Sequence, residues 1–129
     1  MVTRPTTHGG TTTVGELRAF FADDHVHMAL LVECGVLVGA VERPDLDRAT
    51  DDRTLALTRA QLEGRTISPH APLEAVQMDM RRNGRQRLAV TSRENALLGL
   101  LCLKRNGSGF CSDEDVSARR SDPAQDSRA

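Results

Sequence analysis

Apolar positions along this chain fall into two sets that repeat each other. Val14, Leu17 and Phe21 stand at helical spacing, and Leu73, Val76 and Met80 stand at the same spacing 59 positions later. The run Val36-Leu37-Val38-Gly39-Ala40-Val41 recurs as Ala96-Leu97-Leu98-Gly99-Leu100-Leu101, with Gly99 lying 60 positions after Gly39. A fixed internal period implies two copies of one supersecondary unit, each too small to bury a core alone. A cleft between two such halves is a natural seat for a small ligand.

Local patterns fill in the elements of each copy. Thr13-Val14-Gly15-Glu16 matches a capping box, so a helix begins at Val14, and Val14, Leu17, Phe20 and Phe21 line its apolar stripe. Asp23-Asp24 ends that helix, although anions disfavour a helix C-terminus. Alternation from Val26 to Val32 predicts a strand, Glu33-Cys34-Gly35 a tight turn, and Val36 to Val41 a buried strand. In the second copy, Arg65-Thr66-Ile67 suits a short strand and Pro72 the first position of a helix that Asn83-Gly84 closes. Arg87 to Thr91 and Ala96 to Leu103 follow as a hairpin, broken at Asn106 to Gly109. Residues 1–12 are predicted to be mostly loose, with a short strand near Val2-Thr3. Thr54 to Glu63 is predicted to form a helix ended by Gly64, and Ser112 to Asp115 to cap a further short helix. The expected organisation is residues 1–46 as the first repeat, 47–64 as a partly helical linker, 65–118 as the second repeat and 119–129 as a disordered tail. Each repeat reads β-α-β-β-α, an α+β fold with two tandem units packed about a pseudo-two-fold axis.

Composition narrows the function. At 129 residues and 39% hydrophobic content, the chain makes one modest core. A net charge of −1 and only three aromatic residues, all Phe, argue against nucleic-acid partners, which need a basic field or stacking platforms. No apolar run approaches the roughly 20 residues of a membrane helix. The first ten residues lack the apolar stretch of a signal peptide, so a cytoplasmic location is expected, with Cys34, Cys102 and Cys111 as reduced thiols. His25 and His27 would share one strand face, but no third metal ligand is identifiable. Gly35 and Gly39 do not make a dinucleotide fingerprint. No nucleophile stands beside a base and an orienting partner, so no enzyme is expected.

The element order, the spacing and the segment Leu37-Val38-Gly39-Ala40-Val41-Glu42-Arg43-Pro44-Asp45-Leu46 resemble a tandem pair of CBS (cystathionine-β-synthase-type) domains, a Bateman module. The second copy offers Leu97-Leu98-Gly99-Leu100-Leu101-Cys102-Leu103-Lys104-Arg105. The resemblance covers roughly residues 13–46 and 65–118. It implies a regulatory protein, commonly a homodimer, that binds AMP, ADP, ATP or S-adenosylmethionine between the copies and modulates a partner. No cofactor is required by that reading. The implied ligand-binding set is Glu42, Arg43, Asp45, Thr66, Ile67, Arg87, Cys102, Lys104 and Arg105. In the family pattern a Thr helps to hold phosphate and an Asp holds the ribose hydroxyls. Asp45 keeps that Asp in the first copy, or serves as the first residue of a short helix. Glu42 stands in the Thr place and repels phosphate. In the second copy Cys102 replaces the Thr, and Arg105 replaces the Asp and cannot accept from ribose hydroxyls. Arg85, Arg87, Lys104 and Arg105 offer either phosphate donors or a solvated basic surface. Cys102 reads as a redox thiol or, in an apolar strand, as a small core residue. The alternative function is a ligand-free dimerisation or interaction module with degenerate nucleotide sites.

Overall fold

The computed structural model describes residues 2–104, 109 and 110. Strand β1 (Thr7–His8), helix α1 (Val14–Phe20), β2 (Met28–Glu33) and β3 (Val36–Glu42) make the first half. Strand β4 (Thr66–Ile67), helix α2 (Leu73–Arg82), β5 (Arg87–Thr91) and β6 (Leu97–Cys102) make the second. Short 3-10 turns at Arg43–Asp45 and Ala56–Arg59 lie between them.

The halves share one topology. Each has a three-stranded sheet in chain order, with its first pair parallel and its second antiparallel. Thr7 pairs with Leu30 as Thr66 pairs with Ala89, and Leu31 faces Gly39 as Val90 faces Gly99. Even the strand irregularities coincide, between Leu31 and Val32 and between Val90 and Thr91.

Reciprocal hydrogen bonds mark the axis. Leu37 N–H donates to Asn95 O at 2.7 Å, and Leu97 N–H donates to Gly35 O at 3.1 Å. Both donors and both acceptors are repeat equivalents, and the equivalents Val36 and Ala96 form the bridge between them. A shared core lies behind this seam, where Met28, Leu30, Leu37 and Ala40 of one half meet Ala89, Leu100 and Cys102 of the other. Size alternates within it: Leu30 faces Ala40 across the first hairpin, and Ala89 faces Leu100 across the second. Each large residue thus has a small repeat equivalent, which suits interdigitation at close packing. Two outer clusters hold the helices. Leu17 and Phe21 of the α1 face pack on Ala29, Leu31 and Val41, while Val76 and Met80 of α2 pack on Leu88, Val90 and Leu101.

The helix starts follow the sequence signals. Thr13 Oγ1 accepts the Glu16 N–H at 3.3 Å and Glu16 Oε1 accepts the Thr13 N–H at 3.4 Å, completing the capping box. Pro72, expected inside α2, instead caps it in an extended conformation. The strand expected near Val2-Thr3 is a single bridge from Val2 to Leu100, and the true strand is Thr7–His8. The helix expected over 54–63 shrinks to the 3-10 turn Ala56–Arg59. Its chain must run flat across the first sheet, with Gln61 and Ala40 exchanging both backbone hydrogen bonds. The helix expected after Ser112 and the tail 119–129 lie outside the described residues.

Gly39 is required by that crossing, because a Cβ there would collide with the Cβ of Ala60. Gly39→Ala is expected to lower the denaturation midpoint, by about 1–3 kcal/mol of overpacking, and Ala60→Gly to restore it. His8 gives a pH dependence. Its ring stands edge-on to Phe20, with centroids 4.5 Å apart, and its Nε2 is buried without a hydrogen-bond partner among the described residues. Burial pushes the imidazole below its ordinary value, against an opposing pull from Glu16. Below about pH 6.5 the unfolded chain therefore binds the proton that the native state resists, and stability falls as pH drops towards the lower native pKa. Denaturation midpoints at neutral and acidic pH are expected to differ less in His8→Gln than in the parent chain.

Candidate functional site

The end of β3 builds the first candidate site. The chain leaves β3 at Glu42 and turns through Arg43-Pro44-Asp45, and Asp45 Oδ2 accepts the Glu42 N–H at 2.7 Å. Pro44 fits this turn because its fixed φ matches the opening position. The turn presents the Asp45 carboxylate to Arg65, which sits just ahead of β4 in the other half. Arg65 Nη1 reaches Asp45 Oδ2 at 2.5 Å and Nη2 reaches Oδ1 at 3.0 Å. Arg65 Nε lies 2.9 Å from Glu42 Oε1, and Nη1 also donates to Ala40 O at 2.7 Å. Arg85 Nη1 approaches both Glu42 oxygens at 3.3 Å. The Arg65 side chain is 8% exposed and that of Asp45 15%. The hydrogen bonds that Arg65 donates to Asp45 raise its pKa, burial opposes the rise, and the charges of Glu42 and Asp45 add to it. The fork of Arg65 matches a carboxylate in two parallel contacts, which a lysine does not reproduce. Two carboxylates and two guanidinium groups thus balance in one ionic cluster that joins the halves.

The other residues expected at the site disperse. Arg43 turns away beneath α1, donating to Phe21 O, to Asp23 O at 3.1 Å and to Val26 O at 2.6 Å, with its guanidinium 5.3 Å from the Phe21 ring centroid. It clamps the end of α1. Arg87 and Cys102 lie opposite each other on β5 and β6, both buried. Cys102 belongs to the shared core. Lys104 is exposed beyond β6, and Arg105 lies outside the described residues. Thr66 and Ile67 line a separate groove of about 730 Å³ with Ser68, Thr91 and Leu98. Glu42 and Asp45 are therefore the two residues of the implied ligand-binding set that meet, both on Arg65. Arg65 was not expected there. Its one sequence signal is a lone charge opening an apolar strand, where the first repeat carries Thr6.

The repeat-related cleft has different chemistry. The equivalents of Glu42, Asp45, Arg65 and Arg85 are Cys102, Arg105, Thr6 and Val26. That set holds no carboxylate, and among the described residues the ionic cluster occurs once.

No family model matches the sequence, and no curated protein does. Solved structures match the fold closely. The cystathionine beta-synthase pair domain of a Shewanella oneidensis protein superposes with a TM-score of 0.69 at 17% identity, covering 82% of this chain and 63% of that one. This chain has the fold of a CBS-domain pair. A CBS domain protein from Pyrobaculum aerophilum, complexed with AMP, gives 0.62 at 23% identity, covering 80% of this chain and 88% of that one. The cytosolic domain of the Mg2+ channel MgtE, in complex with ATP, gives 0.61 at 20% identity over 77% of this chain and 42% of that one. Among the described residues of this CBS pair, no helix is long and apolar enough to cross a membrane. Among the same residues no three His, Cys, Asp or Glu side chains gather as a metal site.

Proposed function

We propose that this CBS pair is a non-catalytic regulatory module, cytoplasmic and homodimeric. In this reading an adenosine-containing ligand (AMP, ADP, ATP or S-adenosylmethionine) enters the cleft at Asp45 and shifts one half against the other. A partner protein reads that shift. The observation that carries the proposal is the Arg65–Asp45 pair, which joins the halves through the one carboxylate suited to ribose hydroxyls. A ligand that donates hydrogen bonds to Asp45 competes with Arg65, so binding at the cleft and the relation of the halves are coupled. Arg85, 29% exposed at the cleft rim, is placed to exchange Glu42 for a phosphate. The AMP and ATP complexes of proteins with the same fold support this choice of ligand class.

A thermal-shift series with the four ligands tests the proposal. Binding at a hundredfold excess over Kd stabilises by about 2.7 kcal/mol. Arg65→Lys, which loosens the competitor, is expected to strengthen the response. Unchanged melting with all four at millimolar concentration ends the nucleotide reading.

A second reading is an interaction module without a ligand. The occupation of both Asp45 oxygens by Arg65 favours it, as does Glu42 in the place of a phosphate-binding Thr. Under that reading the protein is a dimer in light scattering, and no ligand shifts its melting.

A further inference from the structure

The N-terminal segment is fastened at three places. Val2 and Leu100 exchange both backbone hydrogen bonds, at 2.9 and 2.8 Å, which ties the start of the chain to the second half. Thr7–His8 then pairs with Leu30 and Leu31 of β2 in the first half. Beyond it Gly10 N–H donates to Glu33 Oε1 at 2.5 Å, and Ala56 N–H donates to Thr12 O at 2.9 Å. The middle fastening is the slightest, since β1 pairs with β2 over two positions where β2 pairs with β3 over six. Short pairings of this kind open at a lower free energy than the hairpin behind them.

The repeat places unlike chemistry at this fastening. His8 pairs with Leu31 as Ile67 pairs with Val90. Ile67 packs on the α2 cluster as an apolar side chain. His8 instead stands edge-on to Phe20 of α1, and its Nε2 is buried with no hydrogen-bond partner among the described residues. A proton on that nitrogen brings a charge into an apolar contact with no acceptor, whereas the same proton is hydrated once the strand is free. The charged groups beside the ring are Glu16, one turn before Phe20 on α1, and Glu33 at the end of β2. Glu16 is held by Thr13 in the capping box and Glu33 by Gly10 N–H, and neither reaches Nε2. Burial lowers the affinity of the ring for the proton, and Glu16 opposes that effect in part.

We propose that β1 is an acid-released latch: a proton on His8 detaches residues 7–10 from β2 and α1, while the second half, with Ile67 in the equivalent place, stays closed. Release bares the face of Phe20 and frees the edge of β2 in the first half alone.

Amide hydrogen exchange of the full chain at two pH values, each corrected for the intrinsic rate, tests this. Between about pH 7.5 and about pH 5.5, protection of residues 7–10 is expected to fall by about three- to tenfold. Tenfold is roughly the limit when a ring of ordinary pKa, about 6.5, takes its proton only in the released state. The Ala89 amide, which donates to Arg65 O at 2.9 Å in the second half, is expected to keep its protection. In His8→Phe the fall at residues 7–10 is expected to vanish. A fall of less than about threefold in the parent, an equal fall at Ala89, or the same fall in His8→Phe overturns the proposal. The ring itself gives a second measure that needs no variant. The C2 proton of His8 in the parent is expected to titrate by NMR with a midpoint below about 6.5, and a midpoint at or above that value also overturns the proposal.

Discussion

Arg65→Met is expected to lower the stability of this protein by about 3 kcal/mol, the cost of leaving the half-buried Asp45 carboxylate without its guanidinium partner. Met keeps much of the side-chain volume, so the loss reports charge and hydrogen bonding more than packing. Asp45 loses both guanidinium contacts and Glu42 loses one. Arg85 remains near Glu42, but at 3.3 Å and from a more exposed position it cannot reach Asp45's place in the cluster. Arg65→Lys is expected to fall between Met and the parent, because a single ammonium satisfies one oxygen where the fork satisfies two. The double change Arg65→Met with Asp45→Leu is expected to recover part of the loss, since replacing both members of a buried pair by apolar groups is often tolerated. Denaturant midpoints at constant slope measure all three. A loss under about 1 kcal/mol for Arg65→Met would place the cluster among ordinary surface pairs and refute its role as a clasp.

Leu100→Ala is the second large effect, with about 2–5 kcal/mol expected from the lost transfer energy and the cavity left behind. Leu100 is fully buried in the cluster that both halves build, and its backbone exchanges hydrogen bonds with Val2 in both directions. Its opposite neighbour Ala89 cannot swell to fill the space. Because the cavity touches both sheets, the variant is expected to melt in one transition at a lower midpoint. Two separate transitions would show that the halves carry independent cores, against the shared cluster.

Much of the architecture was legible because the repeat is written in large apolar residues. Leu17 and Val76, Leu31 and Val90, and Val41 and Leu101 do the same work in each half, and periodicity finds such pairs readily. The first strand was not legible. Thr7-His8 and Thr66-Ile67 occupy equal places, but His8 is polar and Ile67 is not, so hydrophobic alignment missed the match. Residues 54–63 read as a helix because they have fair helix propensity, while their conformation is set by backbone pairing of Thr54, Ala56 and Gln61 to Val14, Thr12 and Ala40. Long-range pairing overrides local preference in this way. At the site, Glu42 and Asp45 were found because a turn motif carries them. Arg65 was missed because its meaning depends on a partner 20 residues earlier in the chain, and no local pattern encodes that pairing. Arg43 belongs to the same turn, yet the carbonyls at the end of α1 claim its guanidinium.

The ionic clasp also makes the two structurally matching halves chemically unlike. Asp45 and Glu42 come from the first copy and Arg65 and Arg85 from the second, with no matching quartet across the axis among the described residues. Two identical copies of either half would therefore meet without this lock, in like-with-like company. The matching halves are therefore complementary rather than interchangeable, and part of what joins them is their difference.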